Sequence, residues 1–186
     1  MNVLLHTCCA CCLLHPLERL RAEGHRVTSF YYNPNIHPAS EYLARLDSAR
    51  SEAADSKVEL IVPAYRPVEY FRAVSGREER EEDRCPWCYR LRLYATAERA
   101  REGGYDAFTT TLLVSPYQRH VDLKAVGEEV SRDTGVPFLY GDFRLGFAGA
   151  HEESRERGHY RQKYCGCLFS EADSLKKKLN RATDRQ

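Results

Sequence analysis

Two rhythms of apolar residues alternate along this chain. Short β-rich runs at 3–6, 27–32, 58–62, 107–113 and 138–140 read as strands. Between them, the stretches 17–23, 40–55, 68–74, 86–101 and 121–133 carry apolar positions three and four apart, the period of an amphipathic helix. This alternation predicts βαβ units joined by right-handed crossovers. The expected fold is α/β and Rossmann-like, a mostly parallel sheet with helices on both faces. A last helix is expected at 170–180, running into a polar tail that ends at 186. No repeat or low-complexity linker interrupts the pattern, and 186 residues, 42% of them hydrophobic, suit one domain over 1–186.

Open parallel sheets bind ligands outside the carboxyl ends of their strands, where loops and helix N-termini converge. The unusual residues of this chain fall there. "TCCACC" follows the first predicted strand, "NPNIHP" the second and "AYRP" the third, while "TTTLLVSPYQ" spans the end of the fourth and "YGDFR" the end of the fifth. A nucleoside triphosphate is a poor fit to this edge, because backbone amides approach phosphate through glycine-rich turns. "HTCCACCLLHP" has no glycine, and the chain has neither GxGxxG nor GxxxxGK[ST] nor an SGG-type loop.

Bulk charge adds little: 28 Lys and Arg against 27 Asp and Glu give +1, so only a local patch could argue for a nucleic-acid partner. "MNVLLHTCC" has no basic leader, and no run approaches the ~18 apolar residues of a membrane span. A cytoplasmic protein with no membrane partner is expected. In a reducing compartment eight cysteines point to metal binding or redox catalysis rather than to a disulfide framework.

The cysteines form three groups. Cys8, Cys9, Cys11 and Cys12 follow the first strand; Cys85 and Cys88, in C-x-x-C spacing, open a predicted helix with Pro86 at its first position. A structural zinc on Cys9, Cys12, Cys85 and Cys88 has to bridge an unusually long separation and leaves Cys8 idle, whereas an iron–sulfur cluster accepts four thiolates on a wider body. Spacing alone leaves cluster, zinc and redox thiols open. Cys165 and Cys167 flank Gly166, close enough for a strained, readily reduced disulfide, or for two further metal ligands. The run before them, Arg155, Arg157, His159, Tyr160, Arg161, Gln162, Lys163 and Tyr164, reads as a strip for phosphates and bases or as a plain solvated face.

"LLHTCCACC", "FYYNPNIHP", "RCPWCYRLRL", "FTTTLLVSPYQ", "GDFR" and "YRQKYCGCLFSE" occur in the order found in the QueH-type, cobalamin-independent epoxyqueuosine reductases, and the resemblance runs from Val3 to about Glu171. One position departs: Cys11 stands where that family usually has proline, and it is left out of the functional set. The resemblance implies an adenine-nucleotide-hydrolase-like branch of the Rossmann-like folds that carries a [4Fe-4S] cluster in place of a nucleotide loop. It implies a reductase that converts epoxyqueuosine at the tRNA wobble position to queuosine, the last step of that modification. Carried over, Cys8, Cys9, Cys85 and Cys88 are the cluster ligands, and Cys165 and Cys167 form a redox-active disulfide. Cys12, with a carboxylate such as Asp142, holds a second mononuclear metal, iron or zinc, which brings Asp142 into the catalytic set.

Removing an epoxide oxygen as water takes two electrons and two protons, while a [4Fe-4S] centre normally passes one electron at a time. The Cys165/Cys167 dithiol carries two, and an electron donor outside the chain must restore it. Tyr117, Gln118 and Arg144, from their positions, and Arg161 and Lys163, from the basic strip, are the candidate substrate contacts. Two other classes stay open: a Rossmann-like tRNA sulfur-transfer enzyme using a persulfide, and a non-catalytic zinc protein that binds nucleic acid.

Overall fold

The computed structural model describes residues 1–183. Strands β1 (Asn2–His6), β2 (Arg26–Phe30), β3 (Leu60–Ile61) and β4 (Ala107–Thr110) form one parallel sheet in the order β3-β2-β1-β4. β1 lies between β2 and β4 and is covered on both faces, so Val3, Leu4 and Leu5 are fully buried and read as a continuous apolar run. Among the described residues the helices are α1 (Ala10–Ala22), α2 (Ala39–Asp55), α3 (Pro67–Val74), α4 (Glu81–Glu102), α5 (His120–Thr134), α6 (Phe147–Glu156) and α7 (Leu168–Thr183). α1 packs on α2 and α6, and α4 packs on α3 and α5, which gives a helical layer on each face of the sheet. The chain leaves β1 for β2 and β3 on one side and returns to β4 on the other. The carboxyl end of β1 therefore opens into the crevice where strand order reverses.

The structure departs from the sequence pattern in several places. The fifth strand, expected at 138–140, is a single parallel bridge between Phe138 and Phe108, with Leu139 N donating to Phe108 O at 2.9 Å. Its ring sits so close to α5 that a Cβ at Gly127 would lie 2.2 Å from Phe138. β4 stops at Thr110, whose hydroxyl accepts from Leu112 N at 3.1 Å and turns residues Thr111–Val114 into a 3₁₀ helix.

α1 begins at Ala10 rather than at 17, and α4 at Glu81 rather than at 86. In both a proline, Pro16 or Pro86, sits inside the helix, where it removes one helical hydrogen bond. Glu81, Glu82 and Asp83 favour the earlier start of α4, because carboxylates complement the positive end of the helix dipole. α6 was hidden in the basic strip and the residues before it: only Ala150 and Ser154 of its ten residues are buried, too few to set a period. α7 covers the expected last helix and extends it on both sides, while positions 184–186 of the expected tail lie outside the described residues.

Candidate metal centre and substrate cavity

β1 ends at His6, and the next turns bring three sulfurs together. Cys8, Cys9 and Cys12 are buried, and their Sγ atoms lie within 4.8 Å of one another. Cys9 caps α1 in an extended conformation, with Cys8 just before it and Cys12 in the first turn of the helix. The loop is held to the 3₁₀ helix after β4 by Cys8 N, which donates to Thr111 Oγ1 at 3.1 Å, while the Thr111 hydroxyl donates back to Cys8 Sγ at 3.4 Å. No acidic side chain stands in the first turn of α1, so the positive end of the helix faces the thiols unopposed.

The three thiols differ in acidity because they share protons. Hydrogen bonds from Cys12 and Cys8 hold Cys9 well below the usual thiol range. Hydrogen bonds to Cys8 and Cys9, reinforced by burial, push Cys12 well above it. Cys8 gains from a Cys12 hydrogen bond, but Cys9 and burial outweigh that and push it up to about 11. A set of thiols without carboxylates suits zinc or iron–sulfur chemistry and not magnesium or calcium.

A cavity of about 430 Å³ opens over this group. Cys8 and Cys12 form part of its wall, Cys85 enters from α4, and Cys165 and Cys167 enter from the segment before α7. Cys85 and Cys88 are three apart on α4 and so point to one side of it. Cys88 is buried with Cys167, Tyr70 and Val74, and burial pushes its thiol up to about 12. All eight cysteines are unbridged. Cys165 is exposed and accepts from Gln118 Nε2 at 3.6 Å; Cys167 is buried and accepts from Ser170 N at 3.4 Å. Between them Gly166 has φ of +139°, and a Cβ there would meet Ile36 at 3.1 Å.

Two arginines are buried near this site, Arg45 in the cavity wall and Arg92 beside Cys88. Arg45 on α2 donates to Glu41 Oε1 at 2.8 Å and to the backbone oxygens of Cys165 and Tyr164, both at 3.0 Å. Arg92 on α4 donates Nε to Cys88 O at 3.3 Å. Among the described residues no carboxylate pairs with Arg92; its charge faces the thiols of Cys88, Cys165 and Cys8 instead. Neither arginine stood out in the sequence. Glu41 and Arg45 at i, i+4 read like any surface pair, and only the tertiary structure buries them.

Tyr117, Gln118 and Lys163 border the cavity; Arg144 and Arg161 do not. Gln118 is fixed on both sides, accepting from Tyr89 Oη at 2.9 Å and donating to Cys165. Tyr117 rests edge-on against Phe147 at 5.7 Å. Asp142 stands apart from Cys12. It accepts from Arg144 Nε at 2.8 Å and Nη2 at 2.5 Å, an ion pair that holds its carboxyl down to about 2, and it does not line the cavity. Cys12 is brought to Cys8 and Cys9, not to Asp142. Cys11, at the unusual position, turns away to Ala150 O at 3.7 Å.

The expected basic strip divides. Arg155 pairs with Glu152, and Arg157 is drawn inward to Glu52, a fully buried carboxylate, at 3.0 Å. His159 Nε2 lies 3.1 Å from the same Glu52. Arg157 and His159 thus meet α2 through Glu52, Arg155 stays exposed beside Glu152 on its own helix, and Arg161 and Lys163 are exposed as well.

The model of the family described as "Epoxyqueuosine reductase QueH" matches this chain over residues 3–173. The chain belongs to that family. "Epoxyqueuosine reductase QueH" of Dehalococcoides mccartyi is 38% identical over 177 residues, which cover 95% of this chain and 96% of that one. The protein of the same name from Thermotoga maritima is 36% identical over 178 residues, 91% and 90% of the two chains. These two relatives are thus similar to the chain along nearly their whole length. Among solved structures, a crystal structure described as a predicted subunit of a tRNA methyltransferase from Methanocaldococcus jannaschii superposes with a TM-score of 0.57 at 10% identity, covering 83% of this chain and 75% of that one. That likeness is one of fold, and it agrees with the Rossmann-like arrangement. Among the described residues no helix is long and apolar enough to cross a membrane.

Proposed function

We propose that this chain is an iron–sulfur oxidoreductase that reduces epoxyqueuosine at the wobble position of tRNA to queuosine. The observation that carries the reading is the meeting of Cys8, Cys12, Cys85, Cys165 and Cys167 around one cavity in a chain of this family. Cys8, Cys9, Cys85 and Cys88 are the thiols that hold a [4Fe-4S] cluster. Cys12 lies within the same sulfur group and is the thiol available to a second metal. When bound, the cluster supplies electrons singly.

The chain's own residues do the rest. Cys165 and Cys167 pass from dithiol to disulfide, giving up two electrons and two protons, which is what loss of the epoxide oxygen as water requires. A donor outside the chain returns them to the dithiol. Gln118, held by Tyr89, stands beside Cys165 where the modified base enters, and Tyr117 offers an exposed ring at the mouth. Arg161 and Lys163 lie on the segment leading to the cysteine pair, suited to phosphates next to the modified nucleotide. Such a substrate makes the cytoplasm the place of action.

The test uses tRNA from a strain lacking its epoxyqueuosine reductase. Incubation with anaerobically reconstituted protein and a chemical reductant is expected to yield queuosine from a brown protein containing iron and acid-labile sulfide. A colourless protein with one zinc that binds tRNA without converting it would overturn the proposal in favour of a zinc nucleic-acid-binding protein.

A further inference from the structure

Gln162 reaches from the segment before α7 into the sulfur group at the end of β1. Its Nε2 donates to Cys9 Sγ at 3.1 Å, across 153 positions of sequence. The segment that carries it is tied down on both sides. Tyr160 N donates to Ser48 Oγ at 3.2 Å, the Tyr160 hydroxyl donates to Glu41, and Arg45 grips the carbonyls of Tyr164 and Cys165. The backbone that carries the amide is thus fixed beside Cys9 by the fold.

A neutral thiol is a weak acceptor, so a short amide hydrogen bond to sulfur is worth most when the sulfur carries negative charge, as a metal ligand does. Donors onto ligand sulfurs draw charge off them, and reduction potentials of iron–sulfur centres respond to such hydrogen bonds. We infer that Gln162 is a positioning residue of the metal centre: its side-chain N–H orients Cys9 Sγ and raises the reduction potential of the group that Cys9 holds. The inference rests on the reading that these cysteines bind an iron–sulfur cluster.

The experiment compares wild type with Gln162→Glu, which keeps the shape and loses the donor, and Gln162→Leu, which loses the donor without adding charge. In reconstituted protein the one-electron reduction equilibrium is expected to move about tenfold toward the oxidised cluster, equivalent to ~59 mV, in both variants. In apoprotein loaded with cobalt(II), the sulfur-to-cobalt charge-transfer band is expected to move to lower energy, because Cys9 becomes the richer electron donor. If Gln162→Leu fails to fold, the isosteric Gln162→Glu decides. A cluster whose equilibrium stays within twofold of wild type in the folded variants, with an unmoved cobalt band, overturns the role of Gln162 alone. A wild-type protein that takes up no iron–sulfur cluster overturns the cluster reading, and the inference with it.

Discussion

Arg45 Nη1 donates a 3.0 Å hydrogen bond to the backbone oxygen of Cys165, although 120 positions separate the two residues. The contact joins α2, which follows the second strand, to the turn that carries the exposed cysteine of the proposed redox pair. The guanidinium is only 2% exposed and is neutralised by Glu41, itself 8% exposed. A buried pair of this kind is of modest net worth when intact, but removing one member leaves an uncompensated buried charge.

Arg45→Met is therefore expected to destabilise the protein by about 3–5 kcal/mol, since Glu41 would remain buried without its cation. Urea unfolding of the apoprotein checks this, read as a lower midpoint with an unchanged slope. Cys165 should also react faster with a thiol reagent, because its turn has lost two backbone anchors. A stability loss below about 1 kcal/mol, the worth of a surface pair, would mean that water reaches Glu41 readily.

The sulfur group separates ligands from bystanders. Cys9→Ser and Cys85→Ser should each leave a metal-binding site one thiolate short, with cluster colour bleaching on exposure to air. Cys11→Ser should keep full iron and sulfide, because Cys11 Sγ turns to Ala150 O and away from the group. Iron and acid-labile sulfide per chain decide the matter. Full occupancy in Cys85→Ser would remove α4 from the ligand set.

Cys165→Ser and Cys167→Ser should retain the chromophore and tRNA binding but lose multiple turnover, since a hydroxyl cannot close a disulfide. The measurement pairs iron content with queuosine formed per enzyme. Loss of the cluster in either variant would make that residue a ligand, and full turnover would make the pair dispensable.

Within the former basic strip, Lys163 and Arg157 should behave oppositely. Lys163→Glu is expected to weaken tRNA binding and to flatten its salt dependence, the lost phosphate contact being worth about one unit of slope or a little less. Arg157→Ala should instead lower stability by about 1–3 kcal/mol, because Glu52 is fully buried and keeps only His159 and Ser56 as partners. Filter binding over a salt series, with thermal unfolding of both variants, distinguishes them. Equal effects on tRNA affinity would return Arg157 to the nucleic-acid surface.

The sequence by itself determined the βαβ order and the placing of the cysteines at strand ends, because these follow from periods of two and 3.6 residues and from spacing within a few positions. "TCCACC" after an apolar run is legible in that way. The fifth strand failed because its pairing depends on how closely Phe138 can approach α5, which glycine at position 127 permits. The starts of α1 and α4 failed because Pro16 and Pro86 look like boundaries in a sequence, yet each costs only a single hydrogen bond inside a packed helix. Partner choice was decided by tertiary structure alone. Cys12 joins Cys8 and Cys9 while Asp142 stays with Arg144, Arg157 turns to Glu52, and Gln162 reaches Cys9. A charge or an amide carries no local signal of the group it will meet. Long-range packing sets that meeting, by burying Glu52 and Arg45 where Arg157 and the carbonyls of Tyr164 and Cys165 reach them from other elements.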